Sequence, residues 1–128
     1  MSITQDFAAY LSAQGLVPAP WAIKIGVMPP DPDQVVALFA TGGASVPIKR
    51  VEFTAPGLQI RVRGAKHDYE GALAMASALN VALHELDGTI GSSVYPWIIA
   101  EHEPLPLGYD DNSRPEFSLN FRTAREAA

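Results

Sequence analysis

The chain has 128 residues, no cysteine, a formal net charge of -5, and 48% hydrophobic against 18% charged residues. Those proportions suit a single globular domain with room for a real core. They exclude disulfide and thiolate chemistry, and the acidic balance argues against a general nucleic-acid coat. Met1 to Gln14 lacks a basic cluster followed by a continuous apolar run, so it does not read as a signal peptide. No stretch approaches the roughly 20 apolar residues that span a bilayer. We therefore expect a soluble chain, intracellular at synthesis, with no membrane partner.

Thr4 to Gln14 reads as a short helix, with Phe7, Tyr10 and Leu11 on one face and Gly15 as its stop. Pro18 and Pro20 make Leu16 to Pro20 a connector. Trp21 to Val27 alternates apolar and other residues, the period of a strand. Met28-Pro29-Pro30-Asp31-Pro32-Asp33 is a stiff, extended loop. Gln34 to Ala40 is nearly all apolar, as in a strand covered on both faces. Thr41 to Ser45 holds Gly42 and Gly43 and reads as a loop. Val51-Glu52-Phe53 fits a short edge strand.

The chain is organised around Leu58 to Leu86. Leu58, Ile60 and Val62 alternate with Gln59, Arg61 and Arg63, the pattern of a half-buried strand. The period then changes: Ala72, Leu73, Ala76, Leu79, Leu83 and Leu86 form a helical stripe. Asp68 is placed to cap it, and Gly88 lies just past its end. At about 1.5 Å per residue this helix is roughly 28 Å long, long enough to cover a sheet.

Thr89 to Ser93 follows as polar linker or brief strand, and Val94 to His102 as a strand. Glu103 to Gly108 contains two prolines and reads as a connector. Tyr109 to Arg114 is a polar turn. Glu116 to Arg122 is the clearest strand, with Phe117, Leu119 and Phe121 facing one way. Thr123 to Ala128 reads as a frayed tail. The expected fold is α+β: a mainly antiparallel or mixed sheet of five to six strands on one long helix, plus a short N-terminal helix, in one domain over 1–128.

No catalytic or metal constellation assembles. His84-Glu85 begins like a zinc-protease motif, but position 88 is Gly88, not histidine. His67 beside Asp68 fits a helix start, and His102 between Glu101 and Glu103 fits a strand end, where neighbours point to opposite faces. Asp31 and Asp33 read as solvated loop carboxylates. Asp110-Asp111-Asn112 lacks the glycine and glutamate of a calcium loop. Gly91-Ser92-Ser93 is no nucleophile elbow, and Gly42-Gly43 has no phosphate-loop lysine. We expect no enzyme, no metal and no cofactor. One feature stands out. Lys24, Arg61, Arg63 and Arg122, four of nine basic residues, fall on the polar faces of predicted strands. They can be ordinary solvated positions, or part of a contact surface for a neighbouring subunit or a passing polyanion.

Three segments carry a likeness: Ile25-Gly26-Val27-Met28-Pro29-Pro30; Gln59-Ile60-Arg61-Val62-Arg63-Gly64 with its long alanine-leucine helix; and Pro106-Leu107-Gly108-Tyr109-Asp110 through Arg114-Pro115-Glu116-Phe117-Ser118-Leu119-Asn120-Phe121-Arg122. In this order the chain resembles the bacteriophage minor capsid proteins that serve as tail terminators, or tail completion proteins. In that pattern glycine is expected before Arg114; Ser113 stands there. The resemblance implies a structural virion protein at the head–tail junction, assembled in the host cytoplasm. Such proteins form rings, usually hexamers, that cap the tail tube, stop its polymerisation and offer the surface on which the head docks. The implied partners are further copies of the chain, the tail tube protein and a head-completion or connector protein. DNA would pass through the ring unread. Lys24, Arg61, Arg63, Glu116 and Arg122 would then line a subunit interface or the lumen. The loops with Pro29, Pro30 and Asp31, and with Gly42 and Gly43, would project as partner-binding loops. The competing readings are a head-completion or connector protein, a small ligand-binding domain or enzyme, and a nucleic-acid binder. The last lacks aromatic residues interleaved with its arginines.

Overall fold

A computed structural model describes residues 2–43 and 53–126. Helix α1 (Ile3–Ala13) opens on a capping box. The Ser2 hydroxyl accepts the Gln5 backbone N–H at 3.2 Å, and the Gln5 side chain accepts the Ser2 N–H at 2.9 Å. Strand β1 (Ala22–Ile25) ends where Gly26 turns to φ +74°, so it is shorter than its apolar alternation. Strands β2 (Val35–Ala40), β3 (Phe53–Thr54) and β4 (Gly57–Arg63) follow. Val51 and Glu52 of the expected edge strand, and Ala44 and Ser45 of the glycine loop, lie outside the described residues.

Helix α2 (Tyr69–Leu83) is fifteen residues, or about 22 Å, shorter than its apolar stripe. Asp68 caps it through Oδ1, which accepts the Gly71 N–H at 3.0 Å. It stops because the next residues are drawn into other bonds. His84 turns extended and its Nδ1 accepts the Ala100 N–H, while Glu85, at φ +62°, donates its N–H to the Ile98 carbonyl.

The expected strand at Val94 to His102 is two strands. Strand β5 (Gly88–Ile90) and strand β6 (Ser93–Tyr95) form a hairpin, and strand β7 (Trp97–Ala100) joins the main sheet. The hairpin turns on Gly91 and Ser92, with positive φ only at Gly91, the signature of a II′ turn. Glu103 to Gly108, read as a connector, and Tyr109, read as the start of the turn, hold strand β8 (Leu105–Tyr109). Its prolines are tolerated because β8 is an edge. Pro106 stands opposite Phe117, whose backbone groups face β4, so the missing N–H falls on the outer side. Thr123 to Glu126, read as tail, extends strand β9 (Pro115–Glu126) to twelve residues.

Nine strands thus stand where five or six were expected among the described residues, seven of them in one mixed sheet. Strand β9 is its spine. On one side it pairs with β4 and, in the same register, with β3; on the other with β8 at its start and β7 at its end. β2 lies antiparallel beyond β4, and β1 lies parallel beyond β2. Both helices cover one face. Phe7 and Leu11 of α1 and Ala72, Ala76, Leu79 and Leu83 of α2 share one core with Val36, Leu38, Ile60, Val62, Phe117, Leu119 and Phe121.

Asp6 of α1 is fully buried and fastens the hairpin to this core. Its carboxylate accepts the Ser92 N–H at 2.9 Å, the Ser92 hydroxyl at 3.0 Å and the Tyr95 hydroxyl at 2.8 Å. The Gly91 backbone passes so close to Asp6 that a side chain there would collide with it. Burial pushes the Asp6 carboxyl up, but the Ser92 N–H and the Tyr95 hydroxyl outweigh it and hold it below its ordinary value. Burial, then Asp6 itself, raises the Tyr95 phenol. Asp6→Ala strands the Tyr95 hydroxyl and the Ser92 N–H, and we expect a loss of about 2 kcal/mol, read by urea denaturation. Because the folded carboxyl titrates below its unfolded value near 3.8, this contribution is present above that pH and is lost as pH falls through the folded value.

Ser113 closes the turn before β9 with φ +61°. It holds the left-handed conformation that the expected glycine takes freely and serine takes at a cost. The turn survives because Ser113 donates its N–H to the Asp110 carbonyl and accepts from His67 N–H. Ser113→Gly is expected to stabilise the fold by about 0.5 kcal/mol, seen as a small rise in Tm. An unchanged or lower Tm removes the strain argument.

Candidate interface: the open face of the sheet

Strand pairing sets which side chains share the face away from the helices, where Val35, Ala37, Arg63 and Ser118 are nonetheless buried. Residues directly opposite in a ladder point the same way. Val35, Arg63 and Glu116 form one row; Lys24, Ala37, Arg61 and Ser118 the next; Phe39, Gln59 and Asn120 the third; Gly57, Arg122 and Ile99 the fourth. The core residues occupy the alternate positions. Lys24, Arg61, Arg63, Glu116 and Arg122 therefore do lie on one face, opposite the helices.

They are not equivalent there. Arg63 is only 3% exposed. It donates from Nη2 to the Pro32 carbonyl at 2.6 Å and from Nε to the Asp33 carbonyl at 2.9 Å. Burial and the nearby Arg114 charge lower its guanidinium below the usual range. Arg63 is thus committed within the subunit. Arg61 reaches Glu116 at 3.5 Å, and its buried Nε has no partner among the described residues. Arg122 and Glu101 approach to 3.9 Å in the open. The exposed Arg122–Glu101 pair is worth under about 1 kcal/mol. Arg61 and Glu116 are half-buried, so Arg61→Ala is expected to cost about 1 kcal/mol, and its melt is read beside any change in assembly.

Between the charges lies a polar network. Gln59 donates to the Ser118 hydroxyl at 3.3 Å and to Asn120 Oδ1 at 3.4 Å. Asn120 Nδ2 donates to His102 Nε2 at 2.9 Å, while His102 Nδ1 lies 2.6 Å from the Glu103 carbonyl. The two contacts together assign the Nδ1–H tautomer. They tie the β7–β8 connection onto the face.

One end of the face is closed by the proline loop, and the residue that closes it was missed in the sequence. Arg114 is 4% exposed. Its Nε donates to Asp110 Oδ2 at 2.8 Å, and Nη1 donates to Asp33 Oδ1 at 3.1 Å and the Pro30 carbonyl at 2.6 Å. Burial lowers its guanidinium, but Asp110 and Asp33 outweigh that and raise it. Asp33 is therefore paired, not simply solvated. The loop does not stand free as expected: Pro30 and Asp31 are exposed, but the carbonyls of Pro30, Pro32 and Asp33 are held by two arginines. Only the polar run Asp110 to Ser113 hinted at such a clamp. Gly42 and Gly43 are exposed beyond β2, yet Gly43, at φ +65°, lies so tightly on Ala55 to Gly57 that any side chain would overlap the Ala55 carbonyl.

A hollow of about 350 Å³ lies beside Arg122, lined by Pro56, Trp97, Phe121 and Thr123. Thr123 spends its hydroxyl on the Pro56 carbonyl at 2.7 Å. Among the described residues no three His, Cys, Asp or Glu converge to hold a metal ion. No helix among them is long and apolar enough to cross a membrane.

Fold and face together define a small α+β domain that presents a broad, mixed-charge sheet surface. The chain belongs to the bacteriophage tail terminator family: the family model described as bacteriophage tail terminator protein matches residues 10–127. That makes it a component of the phage virion, in the tail. No curated protein matches the sequence.

Proposed function

We propose that this protein caps the phage tail tube as a ring, ends tube polymerisation and provides the surface that the head-completion proteins meet. The family match over residues 10–127 carries this reading. The open face supports it. Its residues Lys24, Arg61, Glu116 and Arg122 mix both signs on one sheet face, and such charges fix register and partner choice more than they add affinity. In a ring they border a neighbouring subunit or the lumen through which DNA passes. The helices already cover the core face, so a monomer is a folded species, and ring closure is free to use the tube end as its template.

The test is mass by light scattering with and without purified tail tubes, followed by electron microscopy of tube ends. The expected result is rings, or tubes of uniform length capped at one end. A chain that stays monomeric and leaves tube ends bare overturns the reading. Binding to heads in preference to tubes moves the protein to the connector side of the joint.

A further inference from the structure

Among the described residues two edge strands of the main sheet, β1 and β8, have no partner on their outer side, and both are apolar. There β1 pairs with β2 alone and β8 with β9 alone. The β1 edge exposes Ile25, with Val27 just past its end; the β8 edge exposes Leu105, Leu107 and Tyr109, each 44–56% accessible. Three strands separate the edges, so they lie about 19 Å apart on opposite sides of the subunit.

The β8 edge has a particular build. Pro106 offers no N–H to an incoming strand, and the ladder is broken by a bulge between Pro106 and Gly108. These are the devices that stop an edge from adding strands. Yet the side chains on this edge remain leucine and tyrosine rather than lysine or glutamate. An edge closed to backbone pairing but left apolar is suited to contact through its side chains.

We infer that the β8 edge of one subunit packs against the β1 edge of the next copy of this chain, head to tail, through Leu105, Leu107 and Tyr109 on one side and Ile25 and Val27 on the other. This rests on the ring reading above and deepens it. A closed ring needs two different, complementary patches per subunit, and these are two apolar strips on opposite edges. Charge agrees. Lys24 flanks the β1 strip, Glu103 and Asp111 flank the β8 strip, and none of the three has an ion-pair partner among the described residues. The contact pairs them across the joint.

The chain has no cysteine, so introduced thiols report without background. The double variant Val27→Cys/Leu107→Cys, treated with a short bis-maleimide on tail tubes, is expected to give a ladder ending at the closed ring. Each single variant is expected to give no cross-linked product. Val27→Asp and Leu107→Asp alter exposed side chains, and each is expected to leave tail tubes without a ring. Mixed one to one on tail tubes, they are expected to stop at pairs and form no closed ring, since only one intact joint is available. Dimers from a single cysteine variant mean a self-complementary contact and overturn the proposal. Rings that assemble equally well from the aspartate variants, or that give no cross-links, overturn the edge assignment alone. A native chain that is monomeric even on tubes overturns the ring reading and this proposal with it.

Discussion

Ending the chain at Arg122 is expected to abolish cooperative folding or to lower Tm by well over 10 °C. Thr123 and Ala124 pair with Ile98 and Trp97 of β7, and Arg125 and Glu126 pair with Thr54 and Phe53 of β3. Removing them strips β3 of both its ladder partners and β7 of two of its four. Ala124 and Ile98 are buried, and the Thr123 hydroxyl holds the Pro56 carbonyl at 2.7 Å. At about 1 kcal/mol per hydrogen bond, plus the apolar surface exposed, the loss is on the order of 4 kcal/mol or more. Domains of this size have only about 5–15 kcal/mol in total. Circular-dichroism melts of the two chains decide the matter. Coincident melts mean that the last turn of β9 contributes nothing.

Arg114→Ala is expected to cost about 3 kcal/mol. Arg114 is nearly inaccessible and satisfies Asp110, Asp33 and the Pro30 carbonyl together. Removing one partner of a buried pair leaves the others uncompensated. Asp110 and Asp33 are themselves partly open to water, which keeps the figure at the lower end for such changes. Arg114→Lys is expected to recover little, because an ammonium cannot serve the diverging acceptors that the planar fork reaches. The pH dependence separates this account from a simple packing loss. Burial pushes the Asp110 carboxyl up, but the Arg114 and Asn112 N–H groups and the Arg114 side chain hold it below its ordinary value near 3.8. Its stabilising contribution is present above that pH and fades as pH falls through the lower folded value. The stability gap between native and Arg114→Ala chains is therefore expected to narrow in acid. A gap that stays constant from pH 7 to pH 3 refutes the electrostatic part.

The clamp also bears on assembly. It holds down Pro30, Pro32 and Asp33, the return of the loop that leaves β1 at Val27, on the end of the face where Ala22 of β1 lies. Loosening it disturbs the edge proposed to meet the next subunit. Arg114→Ala is thus expected to weaken ring formation as well as stability, whereas Arg61→Ala touches only the charged face.

What the sequence determined by itself is local. Leu58 to Arg63 and Glu116 to Arg122 alternate with period two, and Ala72 to Leu83 repeats every three or four residues. Those periods decide element type and which side chains turn to the core, so the two central strands and both helices were legible, while only the strand registers put Lys24, Arg61, Arg63, Glu116 and Arg122 on one face. The family likeness was legible too, partly in those segments and partly in Ile25 to Pro30 and Pro106 to Asp110. What only the tertiary structure decided is everything that depends on a partner distant in the chain. Leu105 to Tyr109 has no strand signature; it is extended because β9 offers a free edge there, and its proline is harmless because it faces outward. Thr123 to Glu126 is a strand because β7 and β3 bracket it. The α2 helix ends at Leu83 because Ala100 and Ile98 claim the next residues. Arg114, Asp33 and Pro30 are brought together only by folding, across some 80 residues of sequence. Short-range periodicity reports the backbone's own preferences, whereas an edge, a clamp and a buried carboxylate such as Asp6 exist only once a second segment supplies the other half of the bond.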